Sequence, residues 1–136
     1  MRGFTLIELL IVITIIAILS IIGIVAYSGF LQTARNNKRQ SDLKIIQSAL
    51  EDYHADQLYY PASPLGISLT FGSTKTYLNT VPTDPKGGVV YSYVPSPSGC
   101  AGSSCTSYCL STNLEGIDLP DECPPAQGHN YGVTKP

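Results

Sequence analysis

The stretch GFTLIELLIVITIIAILSIIGIVAY, from Gly3 to Tyr27, decides how the rest of the chain is read. From Leu9 to Ala26 its only polar side chains are Thr14 and Ser20, and Gly23 is its one glycine. Phe4 to Ala26 is 23 residues. At ~1.5 Å per residue that is about 35 Å of helix, enough to cross a hydrocarbon layer of ~30 Å. No proline interrupts the run, so a single transmembrane helix is predicted. A secretory signal is the simpler alternative, and three features argue against it. The run exceeds an apolar signal core of ~7–15 residues. Its charged stem is only Met1-Arg2-Gly3, and its end, Ile24-Val25-Ala26-Tyr27, lacks the small residue expected two positions before a cut.

Outside this run the composition changes. The whole chain has 136 residues, 43% hydrophobic and only 13% charged, about half the usual charged share. All ten prolines lie at or after Pro61 and all four cysteines at or after Cys100. The net charge of -2 argues against nucleic acid as a partner. An apolar rod joined to a small polar head is expected, the head from about residue 59 being too small to be held by its core alone.

Glu8 is the one carboxylate inside the apolar run. A charge there costs a few kcal/mol or more unless it snorkels to the headgroups or meets a positive partner. Gly3-Phe4-Thr5-Leu6-Ile7-Glu8, followed by Leu9-Leu10-Ile11-Val12, resembles the class III signal of type IV pilins and type II secretion pseudopilins. The resemblance implies that a prepilin peptidase cuts between Gly3 and Phe4 and methylates the new amino terminus of Phe4. It also implies that Glu8 pairs with the terminal amine of a neighbouring copy during filament assembly. Such a pair would set the axial register between copies rather than add net stability.

No proline or glycine occurs from Phe30 to Tyr60, so the helix is expected to continue to about Asp56, roughly 80 Å in all. Leu43, Ile46, Leu50 and Tyr53 recur at spacings of three and four and predict a core-facing stripe. Glu51, Asp52 and His54 fall off it and are expected in solvent. Gln32 to Asp42 is polar on every face and reads as a solvated or subunit-contacting spacer. Arg35, Lys38 and Arg39 raise a conflict, since basic flanks normally lie inside the cell. The cysteines and the leader motif outweigh them, because the cluster begins nine residues beyond Ala26; a solvated face or lipid headgroups are the expected contacts. Asp42-Leu43 through Tyr53 and Asp56 to Tyr60-Pro61 is similar to the shaft-to-head junction of the same family. Many pilins carry a proline late in the apolar half, and this chain has only Gly23 and Gly29 as weak points.

Beyond Pro61 short alternating runs bounded by turn residues predict strands, clearest from Gly88 to Val94 and from Tyr108 to Leu114. Pro82 to Gly88 reads as a loop, with Asp84 a turn-former. Tyr77 to Tyr93 again resembles the family's head. Cys100, Cys105, Cys109 and Cys123 allow three pairings, which spacing does not choose between. Their gaps match no zinc pattern, so two disulfides are expected, which places the head outside the cytoplasm. Glu115, Asp118, Asp121 and Glu122 form an acidic patch. Pseudopilins bind calcium in this part of the head, so the resemblance makes Asp118, Asp121 and Glu122 calcium candidates. Their spacing matches no calcium loop, and a solvated acidic loop is the favoured reading.

With His54 and His129 as its only histidines and no phosphate loop or HExxH, the chain does not read as an enzyme. The predicted fold is α+β: a long N-terminal helix, transmembrane then amphipathic, on a small antiparallel sheet. The predicted divisions are a leader at 1–3, a filament-core helix at 4–27, a shaft at 28–58 and a head with a cysteine-rich loop at 59–136. The resemblance implies a structural subunit of a type IV pilus-like filament serving adhesion or motility; a secretion pseudopilin and a DNA-uptake pilin are the alternatives. It calls for no cofactor. It implies as partners copies of the chain in a helical filament, the prepilin peptidase, an assembly ATPase and inner-membrane platform proteins. The precursor would be a single-pass protein of the inner or cytoplasmic membrane and the product an extracellular filament.

Overall fold

The computed structural model describes residues 3–62, 68–71, 75–87, 91–117, 123 and 129–135. One helix, α1 (Leu6–Gln57), runs for 52 residues. The strands β1 (Leu69–Phe71), β2 (Lys75–Leu78), β3 (Ser92–Ser96), β4 (Ser107–Thr112) and β5 (Tyr131–Thr134) follow, with a short 3-10 turn at Gly102–Ser104. The architecture is α+β, as expected. The chain divides into two compact units, Met1–Ala34 and Arg35–Pro136.

In the first unit the described side chains from Gly3 to Ile24 are all exposed. The two hydroxyls of the apolar run turn back on the helix: Thr14 Oγ1 donates to the Ile11 carbonyl at 2.8 Å and Ser20 Oγ to that of Ile16 at 2.7 Å. Neither therefore brings an unsatisfied donor into an apolar layer. Gly23 and Gly29 are helical, and a methyl group on either would touch nothing in the chain.

In the second unit the predicted stripe packs as expected. Leu43, Ile46, Leu50 and Tyr53 are buried, and Ala49 beside them. They meet Tyr60, Val81, Tyr91, Tyr93, Tyr108 and Leu110. The sheet order is β3-β4-β5, antiparallel throughout, with Tyr93 opposite Leu110 and Leu110 opposite Val133. β1 and β2 form a separate antiparallel hairpin.

The tyrosine hydroxyls explain why so aromatic a core tolerates a polar helix. Tyr91 donates to Asp42 at 2.8 Å, and Tyr60 and Tyr108 both donate to Glu51. His54 stacks on Tyr60 with ring centres 4.6 Å apart. Glu51 and His54, expected in solvent, are thus half-buried partners of the core, whereas Asp52 is exposed. Burial, reinforced by Glu51, pushes the Tyr60 hydroxyl up to about 12. Asp56 pairs with Lys75 of β2 and accepts from Tyr77 at 2.9 Å, tying the helix end to the hairpin.

The strands depart from the sequence reading in two ways. β3 begins at Ser92, with Tyr91 outside it, and the rest of the expected start, residues 88–90, lies outside those described. β4 does not alternate: Tyr108 through Thr112 are all buried. It is the middle strand, and Cys109, pointing away from Tyr108 and Leu110, is bonded to the buried Cys123. A strand covered on both faces has no solvent side to be polar. The hairpin β1-β2 and the last strand β5 carry too few residues for their period to stand out.

Candidate functional site

The amino-terminal residues form the first candidate site. Gly3 and Phe4 precede the helix, and Phe4 is 85% exposed. The Gly3–Phe4 bond is therefore free of helical hydrogen bonding. A side chain at Gly3 would meet nothing within 4 Å, so the chain's own packing does not require glycine there. Thr5 stands at the N-cap and Glu8 three residues on, and the two cap each other. The Glu8 amide donates to Thr5 Oγ1 at 3.3 Å, while the Thr5 amide and hydroxyl donate to Glu8 Oε2 at 2.9 and 2.7 Å. This is a capping box, satisfying donors that the first helical turn leaves unpaired.

The second site lies where the polar part of α1 meets the head. Asn36, Arg39 and Asp42 are buried, Arg39 at 3% exposure. Arg39 holds Asp84 through Nε (2.6 Å) and Nη2 (3.0 Å), and its Nη1 reaches Glu115 at 2.9 Å. Arg35 takes the same carboxylate as a two-pronged pair, at 2.8 and 2.6 Å. The Asn36 amide brackets the backbone of Glu115, donating to its carbonyl and accepting from its N–H, both at 2.9 Å. Lys38 pairs with Asp42.

These contacts correct two expectations. The stretch from Gln32 to Asp42 is not a spacer solvated on all sides: Asn36, Arg39 and Leu43 continue the core stripe at three- and four-residue spacing. Arg35 and Arg39 face carboxylates of the head, not solvent or lipid. The signal was present in that spacing, but the carboxylates that neutralise the arginines lie 45 to 80 positions away. Asp84 does turn the chain, its Oδ1 accepting the Lys86 amide at 2.7 Å, and it also binds Arg39. The Arg35 hydrogen bond, with Arg39, holds the Glu115 carboxyl down to about 2, and Arg39 lowers that of Asp84.

The cysteines pair as Cys100–Cys105 and Cys109–Cys123. Asp118, Asp121 and Glu122, the calcium candidates, lie outside the described residues. Glu115, the remaining acid of that patch, is committed to the two arginines. Among the described residues no group of three or more His, Cys, Asp or Glu side chains could hold a metal ion. Beside the arginine clasp opens a cavity of about 710 Å³ lined in part by Lys86, Ser111, Asn113 and His129. Ser111 Oγ sits 2.9 Å from His129 Nδ1, yet Ser111 is wholly buried. The pair ties β4 to the residues that precede β5.

An apolar helix long enough to cross a membrane, opening on a capped glutamate, is followed by a stapled sheet head. The prokaryotic N-terminal methylation motif matches residues 1–25. Type II secretion system core protein G of Escherichia coli (strain K12) is 32% identical over 97 residues, 63% of this chain and 67% of that protein. Its counterpart in Klebsiella michiganensis is 29% identical over 98 residues, 64% and 69% of the two chains. The fimbrial protein EcpC of Eikenella corrodens is 27% identical over 137 residues, 90% of each. No solved structure is significantly similar to the chain. The chain belongs to the type IV pilin and type II secretion pseudopilin family, whose members are structural subunits and not enzymes.

Proposed function

We propose that the chain is cut after Gly3, methylated at Phe4 and assembled through its apolar helix into a type IV pilus-like filament. In this reading residues 1–3 are the leader, 4–27 the filament core, 28–58 the shaft and 59–136 the outward head. The observation that carries it is the exposure of the apolar run: no part of the window that could span a membrane is buried within the chain. Lipid covers it before assembly and other copies cover it afterwards. Each large apolar side chain withdrawn from water contributes about 1.5–3 kcal/mol. Repeated head-to-tail contact of this kind builds an open helical polymer instead of a closed ring. The resemblance to the fimbrial protein along 90% of each chain supports a surface filament.

A second reading, a pseudopilin of a type II secretion system, is favoured by the higher identity to protein G. Shearing intact cells and weighing the released protein separates the two. A species beginning at N-methylated Phe4, lighter by the four hydrogens lost in two disulfides, is the expected product in the sheared fraction. Processed protein confined to the membrane fraction would favour the secretion reading. Only full-length protein would defeat both.

A further inference from the structure

The contacts of Glu8 within its own chain point to a residue beyond those already discussed. A carboxylate on an apolar helix that enters lipid needs donors at all times, not only once a filament exists. In the single chain it has them: the Thr5 hydroxyl at 2.7 Å and the Thr5 amide at 2.9 Å, both on Oε2. Both donors lie beyond the Gly3–Phe4 bond, so cutting that bond leaves them in place. The geometry fits the helix end as well, since a carboxylate in the first turn also meets the positive pole of the helix.

We propose that Thr5 is a positioning residue for Glu8: it holds the carboxylate folded onto the first turn of α1 in the unassembled, membrane-resident subunit. The cap carries the charge into the apolar layer with two hydrogen bonds on one of its oxygens. It releases Oε2 when a positive group of a neighbouring copy arrives. Oε1 takes no part in the cap, so a partner can approach it before the Thr5 bonds open. This inference rests on the assembly role proposed for Glu8, but the cap itself is a property of the single chain and is testable without assembly.

The test uses the full chain in membranes that contain prepilin peptidase and lack the assembly platform. Dicyclohexylcarbodiimide, a hydrophobic reagent that couples to carboxyl groups lying free within a membrane, is added, and the adduct is read by intact mass. Glu8→Gln gives the background from all other carboxyls. Wild type and Thr5→Ser, which keeps a hydroxyl, should label slowly. Thr5→Val, of the same shape without the hydroxyl, should label about fivefold faster, the factor that ~1 kcal/mol of lost hydrogen bond allows. Equal labelling of wild type, Thr5→Ser and Thr5→Val would overturn the cap. Faster labelling of Thr5→Ser as well as Thr5→Val would overturn the role of the hydroxyl. The assembly role is scored separately, by filaments from Glu8→Ala in complete cells. Normal filaments there would remove that role while leaving a positive labelling result standing.

Discussion

Arg39 carries a full charge at 3% exposure, and three hydrogen bonds to Asp84 and Glu115 make that tenable. Its removal leaves two carboxylates facing each other with one cation fewer. Arg39→Met is expected to cost on the order of 3 kcal/mol, read as a lower denaturant midpoint of the full chain in detergent. Arg39→Lys should restore only part, because an ammonium cannot hold Asp84 with two prongs while reaching Glu115. The same clasp sets a pH dependence. Glu115 and Asp84 both have carboxyls lowered by their arginines, Glu115 to about 2. Groups depressed in the folded state contribute stability above the ordinary carboxylate range and lose it as they take up protons. Thermal stability should therefore be level down to about pH 5 and fall progressively from about pH 4.5 toward 2. A flat profile across that window would rule out the clasp as the stabilising feature.

At the scale of elements, the end of α1 and the Cys109–Cys123 staple make separate claims. Leu58 follows the helix with φ at +66°, its amide donating to the His54 carbonyl at 2.8 Å, while its side chain is 79% exposed. That is the position where glycine usually ends a helix. Leu58→Gly should raise stability by about 1 kcal/mol, because it removes left-handed strain and gives up no buried contact. Unchanged or lower melting of that variant would count against the strain. The staple joins β4 to a residue 14 positions on. Closing a loop of that size contributes about 3 kcal/mol in the chain-entropy account. Cys109→Ala with Cys123→Ala should lower the denaturation midpoint accordingly. The Cys100–Cys105 loop spans only five positions and should matter less when removed.

For the whole molecule the decisive feature is an apolar surface that one copy leaves uncovered. The fold does not need Gly3, since nothing lies within 4 Å of where its side chain would be. Gly3→Ala is therefore expected to leave thermal unfolding of the head unchanged while the protein stays at full-length mass. Normal processing of that variant would move the cut elsewhere. A changed melting temperature would mean that Gly3 serves the fold after all.

Much of this protein is written in local pattern. The apolar run from Phe4, the glutamate at Glu8, the stripe at Leu43, Ile46, Leu50 and Tyr53, and an even set of late cysteines are each legible within a few turns of chain. Periodicity and composition act over that range, so they sufficed for the helix and the class of fold, while the motif from Gly3 to Glu8 carried the resemblance to the family. Pairing across distance was not legible. Which cysteines join, why Glu51 is half-buried beneath two tyrosines, and why Arg35 and Arg39 leave solvent all depend on partners tens of residues away. A charged side chain reads as exposed until its counter-charge is brought to it, because burial becomes affordable only when the pair forms. Only the folded head, setting Asp84 and Glu115 against the helix, decided that the polar stretch of α1 belongs to the core.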